Sequence, residues 1–383
     1  MKAQPISVVM AAAIAMAGLT VGAQAAEVKL PANMAWTAYN TGTTGYNQSV
    51  AIGKALKDKY GVTLRVVPGK NDISRLTPVK AGKVDYSANG IATFFASEGV
   101  FQFADANWGP MRIRLVMSAS GSSNLGVATA KDADIKTFAD LKGKRVVWVR
   151  GGDALNVGVE AMLACGGLTW DDVTKVQFPG YGASWQGMVN DQVDAAFAST
   201  MSGPTKKLEA SPRGIFWPPT PHGDQACWDG IAKTAPYFVP NMGTRGTGLS
   251  KENPHEGARY PYPILMTLEG QDAGEVYSLT RAIVEEFDNF SAAEPAAAGW
   301  ALDKQILQWV VPYHEGAVAY FKEIGKWGGA EQAHNDELIS RQNLLATAWT
   351  EMDKSLEGEA FKAKWMEIRA GYLERGGHDP IWR

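Results

Sequence analysis

The sequence lacks most of the short motifs that mark an enzyme. No H-E-x-x-H pair occurs among its five widely separated histidines, and there is no G-x-x-x-x-G-K-[ST] loop. No G-x-G-x-x-G follows a predicted strand, and the glycines around Ser184 are spaced wrongly for G-x-S-x-G. Because catalytic groups can also meet from distant positions, a secreted enzyme stays an alternative. We expect a protein that is not an enzyme and that uses no cofactor or metal.

The chain has no marked excess of charge of one sign, and no long apolar run follows its amino-terminal segment. The 37 lysine and arginine residues nearly balance the 40 aspartate and glutamate residues, which gives a net charge of -3 with interspersed signs. Such a chain offers no polycationic face to nucleic acid or anionic membranes. No later stretch reaches the ~18 uninterrupted apolar residues of a spanning helix. We expect a small molecule or another protein as the partner, and no nucleic acid.

The amino terminus carries a basic start, an apolar core and a small-residue cleavage site. Lys2 precedes an apolar run over 6–19, and an A-x-A site ending at Ala25 precedes Ala26. This order is typical of a secretory signal peptide, and the run is too short for a stable membrane span. We therefore expect export to the periplasm and removal of residues 1–25. Roughly 358 residues remain, more than one compact core usually holds, so two domains are expected.

Cysteine is scarce, with Cys165 and Cys227 making up the whole count. Two cysteines do not make a zinc site of the usual spacing. An oxidising compartment would let the pair close a disulfide. The sequence leaves the bridge and two free thiols equally open, because it does not show whether the two Cα atoms come within bonding range.

A small-residue turn near the start of the mature chain is the first candidate binding element. It covers residues 40–47, after an extended run at 34–39 and before a helical pattern. The first N–H groups of a helix lack intrahelical partners and lie at the positive end of its dipole, which favours an anion. The alternative is a glycine-rich bend with no ligand. The donors expected here are Thr43, Thr44, Gly45 and Tyr46.

Strand and helix patterns alternate through the segment that follows. The run at 62–67 alternates as a half-buried strand does, 73–79 has the spacing of a short helix, and 84–88 is another predicted strand. Alternation at these lengths predicts an open parallel sheet. Ligands of such sheets bind beyond the carboxyl ends of the strands. We therefore expect Asn89, which follows the last of these strands, to orient the ligand.

A second unit repeats the order of strand, small-residue turn and helix. The predicted strand at 146–149 leads into Arg150, Gly152 and Asp153, which open a helix. We interpret Asp153 either as a helix N-cap or as the partner of a cationic group on the ligand. Arg150 beside it would then meet an anionic group. Two similar turns in successive units would face each other across a cleft.

Later turns and the end of the chain give weaker patterns. Tyr181 and Ser199 stand in small-residue turns, where they either line the cleft or cap helices and turns. From 217 to 263 the chain is rich in proline, glycine and aromatic residues with little periodicity, so we expect it to wrap over the surface. The end of the chain is mostly helical. The residues after Gly325 either brace the first lobe or mediate dimerisation.

Four motifs follow one another along the chain: the glycine turn at 42–46, a G-x-x-D strand at 82–85, D-L-K-G-K-R-V at 140–146 and H-x-G-A-x-x-Y-x-x-E-x-G at 314–325. In this order they resemble the motifs of the TAXI family, the extracytoplasmic solute receptors of tripartite ATP-independent periplasmic (TRAP) transporters. The second turn departs from the family, which usually has P-G-S-G-T where this chain has R-G-G-D-A. The family's tyrosine pair after the first turn is reduced to Tyr46-Asn47.

The resemblance implies a two-lobed periplasmic binding protein fold, type II-like, with an α/β sheet in each lobe and extra carboxyl-terminal helices. One lobe would comprise 26–120 and about 235–383, and the other about 121–234. The implied function is a receptor that captures a small organic acid or amino acid in the cleft and delivers it to the integral membrane subunits of a TRAP transporter. An ABC-type binding protein is the alternative. A buried Asp153 would repel an anionic group, which favours a zwitterion or polar neutral ligand over a simple dicarboxylate.

Overall fold

The computed structural model describes residue 1 and residues 27–383. Apart from residue 1, the predicted signal peptide therefore lies outside the described residues. Within the described part of the chain, no helix combines the length and the apolar character that crossing a membrane requires.

Four early strands begin the first sheet, and helices connect them. The strands are β1 Asn33–Ala38, β2 Thr63–Pro68, β3 Tyr86–Asn89 and β4 Ile113–Ser118. The helices are α1 Thr44–Tyr60, α2 Asp72–Lys80 and α3 Ala92–Glu98. β1 lies between β2 and β3 and pairs with both in parallel, as the alternating pattern predicts. Trp36 and Tyr86 are fully buried on this sheet, so both belong to the core.

Five strands form the second sheet. They are β5 Leu125–Ala130, β6 Arg145–Val149, β7 Thr174–Phe178, β8 Ala195–Ser199 and β9 Ile215–Phe216, and their spatial order is β7-β6-β8-β5-β9. The helices are α4 Asp153–Cys165, α5 Tyr181–Val189 and α6 Gly203–Glu209. β6 pairs in parallel with β7 and β8, and β5 runs antiparallel to β8. The carboxyl ends of β6, β7 and β8 therefore meet at one edge, where α4, α5 and α6 begin.

The chain then adds a helix and a two-stranded ribbon to the second sheet. They are α7 Gln225–Thr234, β10 Val239–Gly243 and β11 His255–Arg259. α7 packs along α4, where Cys165 and Cys227 form a disulfide with an S–S distance of 2.00 Å. The interval 217–263 is therefore more regular than its composition predicts, because the disulfide and the packing on α4 come from residues far away in the sequence.

The fifth strand of the first sheet comes from late in the chain. β12 Ile264–Leu268 lies antiparallel between β3 and β4, which gives the spatial order β2-β1-β3-β12-β4. The chain thus crosses between the two sheets twice, after β4 and before β12. Two α/β sheets joined by two crossings form the two-lobed α/β fold that the sequence predicts. We call the first sheet with its helices the first lobe, and the second sheet with its helices the second lobe.

The division of the chain into lobes at about 120 and 235 stays a prediction, and the contacts of one side chain bear on the boundary at about 235. The Asn124 side chain precedes β5 and donates from Nδ2 to the His255 carbonyl at 3.0 Å. It also accepts from Asn241 Nδ2 at 2.7 Å. These bonds hold the ribbon of β10 and β11 against the second sheet. The packing therefore favours a return to the first lobe after Arg259 rather than at about 235.

The helices of the carboxyl end pack on the first lobe. They are α8 Ala273–Glu285, α9 Phe287–Ala293, α10 Glu315–Glu323, α11 Gly329–Thr350 and α12 Gly358–Arg375. The buried Glu98, at the end of α3, accepts hydrogen bonds from Arg341 of α11 at 2.7 Å to each oxygen. It also accepts from Arg369 of α12, and Trp365 donates to the Gly99 carbonyl at 2.6 Å. The last two helices therefore brace the first lobe.

Candidate functional site between the lobes

Turns from the two lobes touch each other directly. Four backbone hydrogen bonds among the described residues join the first lobe to the second. They run from Gly203 N to Gly42 O at 3.2 Å, from Tyr181 N to Lys70 O at 3.0 Å, and from Asp72 N and Ile73 N to Gly151 O at 2.9 and 3.4 Å. The lobes are therefore closed on each other in this structure.

Glycine permits this close approach. A Cβ atom at Gly203 would lie 2.5 Å from the Gly42 carbonyl oxygen, and one at Gly151 would lie 2.6 Å from Asn71 Nδ2. Gly151 also has a φ of +71°, in the left-handed region that glycine adopts at little cost. Gly203 and Gly151 therefore serve the contact between the lobes, and Gly151 serves the bend of the second turn as well.

A small space remains between the lobes, which we name the deep cavity. Its volume of ≈ 20 Å³ is room for about one water molecule. Four of its lining residues are ones that the sequence selected, namely Thr43, Thr44, Tyr181 and Ser199. Other lining residues include Tyr39, Tyr260, Tyr262, Leu125, Leu155 and Phe197. The deep cavity thus presents hydroxyl groups on a largely aromatic wall, and both lobes contribute to it.

Several hydroxyl groups of the deep cavity already have partners within the chain. Thr44 Oγ1 donates to Ser199 Oγ at 3.5 Å across the cleft. The Tyr262 hydroxyl lies against Gly45, where an added Cβ atom would be 3.1 Å from it. Burial raises the pKa of Tyr262 to about 12, although the nearby Arg75 opposes the rise. The phenol therefore stays protonated at neutral pH and lies against the first glycine turn.

Arg75 is the centre of a fully buried polar cluster beside the deep cavity. Its Nη2 donates to Asp72 Oδ1 at 2.5 Å and to Asn89 Oδ1 at 2.8 Å, and its Nε donates to the same Asn89 oxygen at 3.0 Å. The guanidinium carbon lies 3.3 Å from the centroid of the Tyr39 ring. Among the described residues, Arg75 Nη1 and Asn89 Nδ2 have no hydrogen-bond partner although both are buried. Two donors are thus left for an acceptor that these residues do not supply.

Asp72 extends this cluster across the cleft. Its Oδ2 accepts a hydrogen bond from the backbone N–H of Ala154, in the first turn of α4, at 2.7 Å. Burial raises the pKa of Asp72, while Arg75 and the Ala154 N–H act in the opposite direction. The start of a helix favours an anion. In this structure that anion is a carboxylate of the protein itself.

Asp153 lies between the lobes but does not cap α4, whose N-cap is Gly152. Its carboxylate accepts hydrogen bonds from the Gln102 backbone N–H at 3.0 Å and from Gln102 Nε2 at 3.2 Å. Burial, followed by the charge of Asp72, raises the pKa of Asp153 to about 6. Gln102 belongs to the first lobe, so this pair is a further polar link across the cleft. Contact between Asp153 and a ligand stays a prediction.

Two other residues selected from the sequence lie away from the deep cavity. Arg150 is exposed, and its carbonyl accepts a hydrogen bond from Asn71 Nδ2 at 2.9 Å. Tyr46 is half-buried in the first turn of α1 and does not line the cavity. Their contact with a ligand also stays a prediction.

Arg75, Tyr39 and Tyr262 belong to the site, and the sequence analysis did not select them. Arg75 stands between Ile73 and Leu76 in a helical pattern, where a charged residue usually indicates a solvated face. Tyr262 comes from a segment without periodicity. Tyr39 carried a usable signal, because it follows β1 and therefore lies at the carboxyl end of a parallel strand.

A larger pocket also opens between the lobes, which we name the outer pocket. Its volume is ≈ 520 Å³. It includes Asn40, Lys70 and Ser74 of the first lobe, and Trp185, Gln186 and Lys207 of the second. Small-molecule sites in proteins have volumes of roughly 300–1,000 Å³. In the closed structure, the outer pocket therefore has the size of a ligand site and the deep cavity does not.

Residues 27–383 do not form an evident metal centre. No group of three or more His, Cys, Asp or Glu side chains in this part of the chain could hold a metal ion. The polar side-chain groups that line the two pockets are hydroxyl, amide, indole and ammonium groups, which suit organic solutes and anions.

Comparison with known proteins gives one family match and several distant structural likenesses. The model of the NMT1-like family matches residues 37–325. An ancestral arginine-binding protein bound to arginine is 13% identical with a TM-score of 0.42, over 71% of this chain and 99% of that chain. The alkanesulfonate-binding protein SsuA from Xanthomonas axonopodis pv. citri, bound to MOPS, is 16% identical with a TM-score of 0.41. That match covers 83% of this chain and 95% of that chain. PhnD1 from Prochlorococcus marinus (MIT 9301), in complex with methylphosphonate, is 11% identical with a TM-score of 0.44. That match covers 77% of this chain and 99% of that chain.

Proposed function

This chain belongs to the NMT1-like family, and we propose that it is an extracytoplasmic receptor that captures a small organic acid or amino acid between its lobes. The observation that carries the proposal is the Arg75 cluster, where two buried donors lack partners beside the deep cavity. A carboxylate is the acceptor that best fits a guanidinium, because its two oxygens match the geometry of the N–H donors. The chain thus holds a donor set suited to an organic acid.

The contacts of Asp72 indicate how a solute carboxylate would enter this cluster. A buried guanidinium needs a counter-charge, and Asp72 supplies one carboxylate in the closed structure. Asp72 shares that carboxylate between Arg75 and the Ala154 N–H of the other lobe. When the lobes part, the bond to Ala154 breaks and the cluster faces the cleft. A solute carboxylate would then supply acceptors for Arg75 Nη1 and Asn89 Nδ2.

Capture of a solute requires the lobes to move. The deep cavity has room for about one water molecule, so a larger solute enters only when the cleft is open. The two crossings between the sheets are where hinge motion is expected, because hinges lie in the few residues that join rigid lobes. On closure, Thr44 and Ser199 would offer hydroxyl groups to the solute from opposite lobes.

The integral membrane subunits of a TRAP transporter are the partner that the TAXI resemblance implies. We include this partner, and export to the periplasm, in the proposal. Uptake of the solute into vesicles that carry the cognate membrane subunits should follow an imposed ion gradient and should not require ATP. Uptake that depends on ATP would assign the receptor to the alternative, an ABC transporter.

A thermal-shift screen of small carboxylates and amino acids, with the mature chain, tests the receptor function. A specific solute raises the unfolding midpoint, since it stabilises the folded state by about 2.7 kcal/mol at a concentration of 100 Kd. The bound compound should be recovered unchanged. Turnover of the compound would instead establish the secreted enzyme that the sequence left as an alternative. A screen in which no compound shifts the midpoint would contradict the receptor.

Variants of the cleft then test where the solute binds. Thr44→Val and Ser199→Ala should each weaken binding up to about tenfold, because each loses a buried hydrogen-bonding group. Thr347→Val, on a solvated helix face, is the matched control. The pair Asp72→Asn/Arg75→Met removes both buried charges together and should abolish carboxylate binding. Unchanged affinity in all three cleft variants would move the site elsewhere.

A further inference from the structure

The outer pocket is distinct from the Arg75 cluster and is built equally from both lobes. Its first-lobe residues include Asn40, Lys70 and Ser74, and its second-lobe residues include Trp185 and Lys207. The volume of ≈ 520 Å³ is present while the lobes are closed. The proposed function places the solute carboxylate at Arg75 and leaves this larger pocket without a role.

The charged groups of the outer pocket have one sign. Lys70 and Lys207 are its charged lining residues, and no aspartate or glutamate of the described part of the chain lines it. Both lysines are exposed, and among the described residues neither has an ion-pair partner. The whole chain carries a net charge of -3, so this local positive charge is opposite to the average. A concave region lined by one sign of charge concentrates small ions of the other sign.

Trp185 gives an independent indication of a ligand. It lines the outer pocket, its side chain is only 2% exposed, and its indole Nε1 has no hydrogen-bond partner among residues 27–383. Indole is a donor and never an acceptor. The group that would satisfy it is therefore an acceptor, as the oxygens of an anion are.

We propose that the outer pocket binds a small anion through carboxylate or phosphate oxygens, held by Lys70 from one lobe and Lys207 from the other. Because the two lysines reach the same anion only when the lobes are together, the bound anion favours the closed arrangement. Two sources supply this chemistry. One is a free anion such as phosphate. The other is a second acidic group on the transported solute, and this source rests on the proposed function.

Calorimetric titrations of the mature chain at constant ionic strength test the proposal. The probes are inorganic phosphate, succinate and butyrate, of which butyrate lacks the second carboxylate of succinate. The variants are Lys70→Gln, Lys207→Gln and their combination. Lys206→Gln is the matched control, because Lys206 is exposed, carries the same charge and does not line the outer pocket. The unfolding midpoints without anion should be alike for all four.

Either source gives its own pattern. If the ligand is a free anion, phosphate should bind the wild type and Lys206→Gln equally. It should bind Lys70→Gln and Lys207→Gln about tenfold more weakly. If the ligand is instead the second acidic group of the solute, Lys70→Gln and Lys207→Gln should bind succinate about tenfold more weakly and should bind butyrate as the wild type does. The proposal is overturned if the double lysine variant binds phosphate and succinate as the wild type does, or if neither binds the wild type.

A separate variant distinguishes failure of this proposal from failure of the proposed function. Asp72→Asn/Arg75→Met should remove butyrate binding, while phosphate should still bind and should still be weakened about tenfold by Lys70→Gln in that background. Butyrate binding that persists in that variant contradicts the Arg75 site and leaves the lysine result intact. If the lysine variants bind phosphate and succinate as the wild type does, and Asp72→Asn/Arg75→Met loses butyrate binding, then only the anion site in the outer pocket is contradicted.

Discussion

The backbone N–H of Ala154 donates a hydrogen bond of 2.7 Å to the carboxylate of Asp72, and this bond crosses the cleft between the lobes. Ala154 lies in the first turn of α4, where the helix dipole favours a negative charge. The same carboxylate pairs with the fully buried Arg75. The protein thus places its own carboxylate between a helix start and a guanidinium, two groups that also suit the carboxylate of a solute.

Removal of the Asp72 charge should destabilise the fold. Asp72→Asn leaves the buried guanidinium of Arg75 without a counter-charge, which costs about 3–5 kcal/mol in the free energy of unfolding. Asp72→Asn/Arg75→Met removes both charges and should recover a large part of that loss. Urea unfolding measures the difference, with Asp85→Asn as an exposed control. A double variant as unstable as the single variant would contradict the buried ion pair as the cause.

Asp153 should make the stability of the fold fall as the pH rises through about 6. Burial and the charge of Asp72 raise its pKa from the usual 3.8 to about 6. Between these values the folded chain keeps a proton that the unfolded chain has released. The resulting stabilisation is fully present below about pH 4 and is lost above about pH 6, and it amounts to at most about 3 kcal/mol.

The matched variant for this prediction is Asp153→Asn, which keeps the size of the side chain and does not titrate. Urea unfolding of both proteins from about pH 4 to about pH 7 gives two curves, and subtraction cancels the other acidic groups. The free energy of unfolding of the wild type, relative to the variant, should decrease over this range. A constant difference would show that Asp153 titrates at its usual pKa.

Glu98 should be essential for the docking of the carboxyl-terminal helices. It is buried between Arg341 and Arg369, and those arginines hold its pKa below the usual range although burial acts against this. Glu98→Gln leaves two buried guanidinium groups without their carboxylate and should cost about 3–5 kcal/mol. The rate of amide hydrogen exchange in α11 and α12 should rise in the same variant. Glu367→Gln, in an exposed pair with Lys364, should cost at most about 1 kcal/mol.

The disulfide between Cys165 and Cys227 should stabilise the second lobe through the length of chain that it closes. The two cysteines are 62 positions apart, and closure of a loop of this size contributes up to about 4 kcal/mol through the unfolded state. Urea unfolding with and without a thiol reductant measures the loss. The variant Cys165→Ala/Cys227→Ala should be unaffected by the reductant, and an equal response in both proteins would contradict the role of the bridge.

Several residues of the cleft could be selected from the sequence because the rule that selects them is local. Thr44, Tyr181 and Ser199 stand where a predicted strand gives way to a turn, and such turns gather at one edge of a sheet. The same rule selected Arg150, which is exposed, because the rule gives the edge and not the direction of each side chain. Arg75 was missed because it lies inside a helix, where burial of a charge has no local signal.

The sequence by itself determined the α/β class, the alternation of strands and helices, and the glycine turns that begin α1 and α4. These features follow from the period of apolar residues and from backbone preferences, which act between near neighbours. The tertiary structure alone decided that Asp72 fills the start of α4, that Glu98 holds the last two helices and that Cys165 meets Cys227. These contacts join distant segments, and the cost of burying a charge is fixed only when its partner is in place.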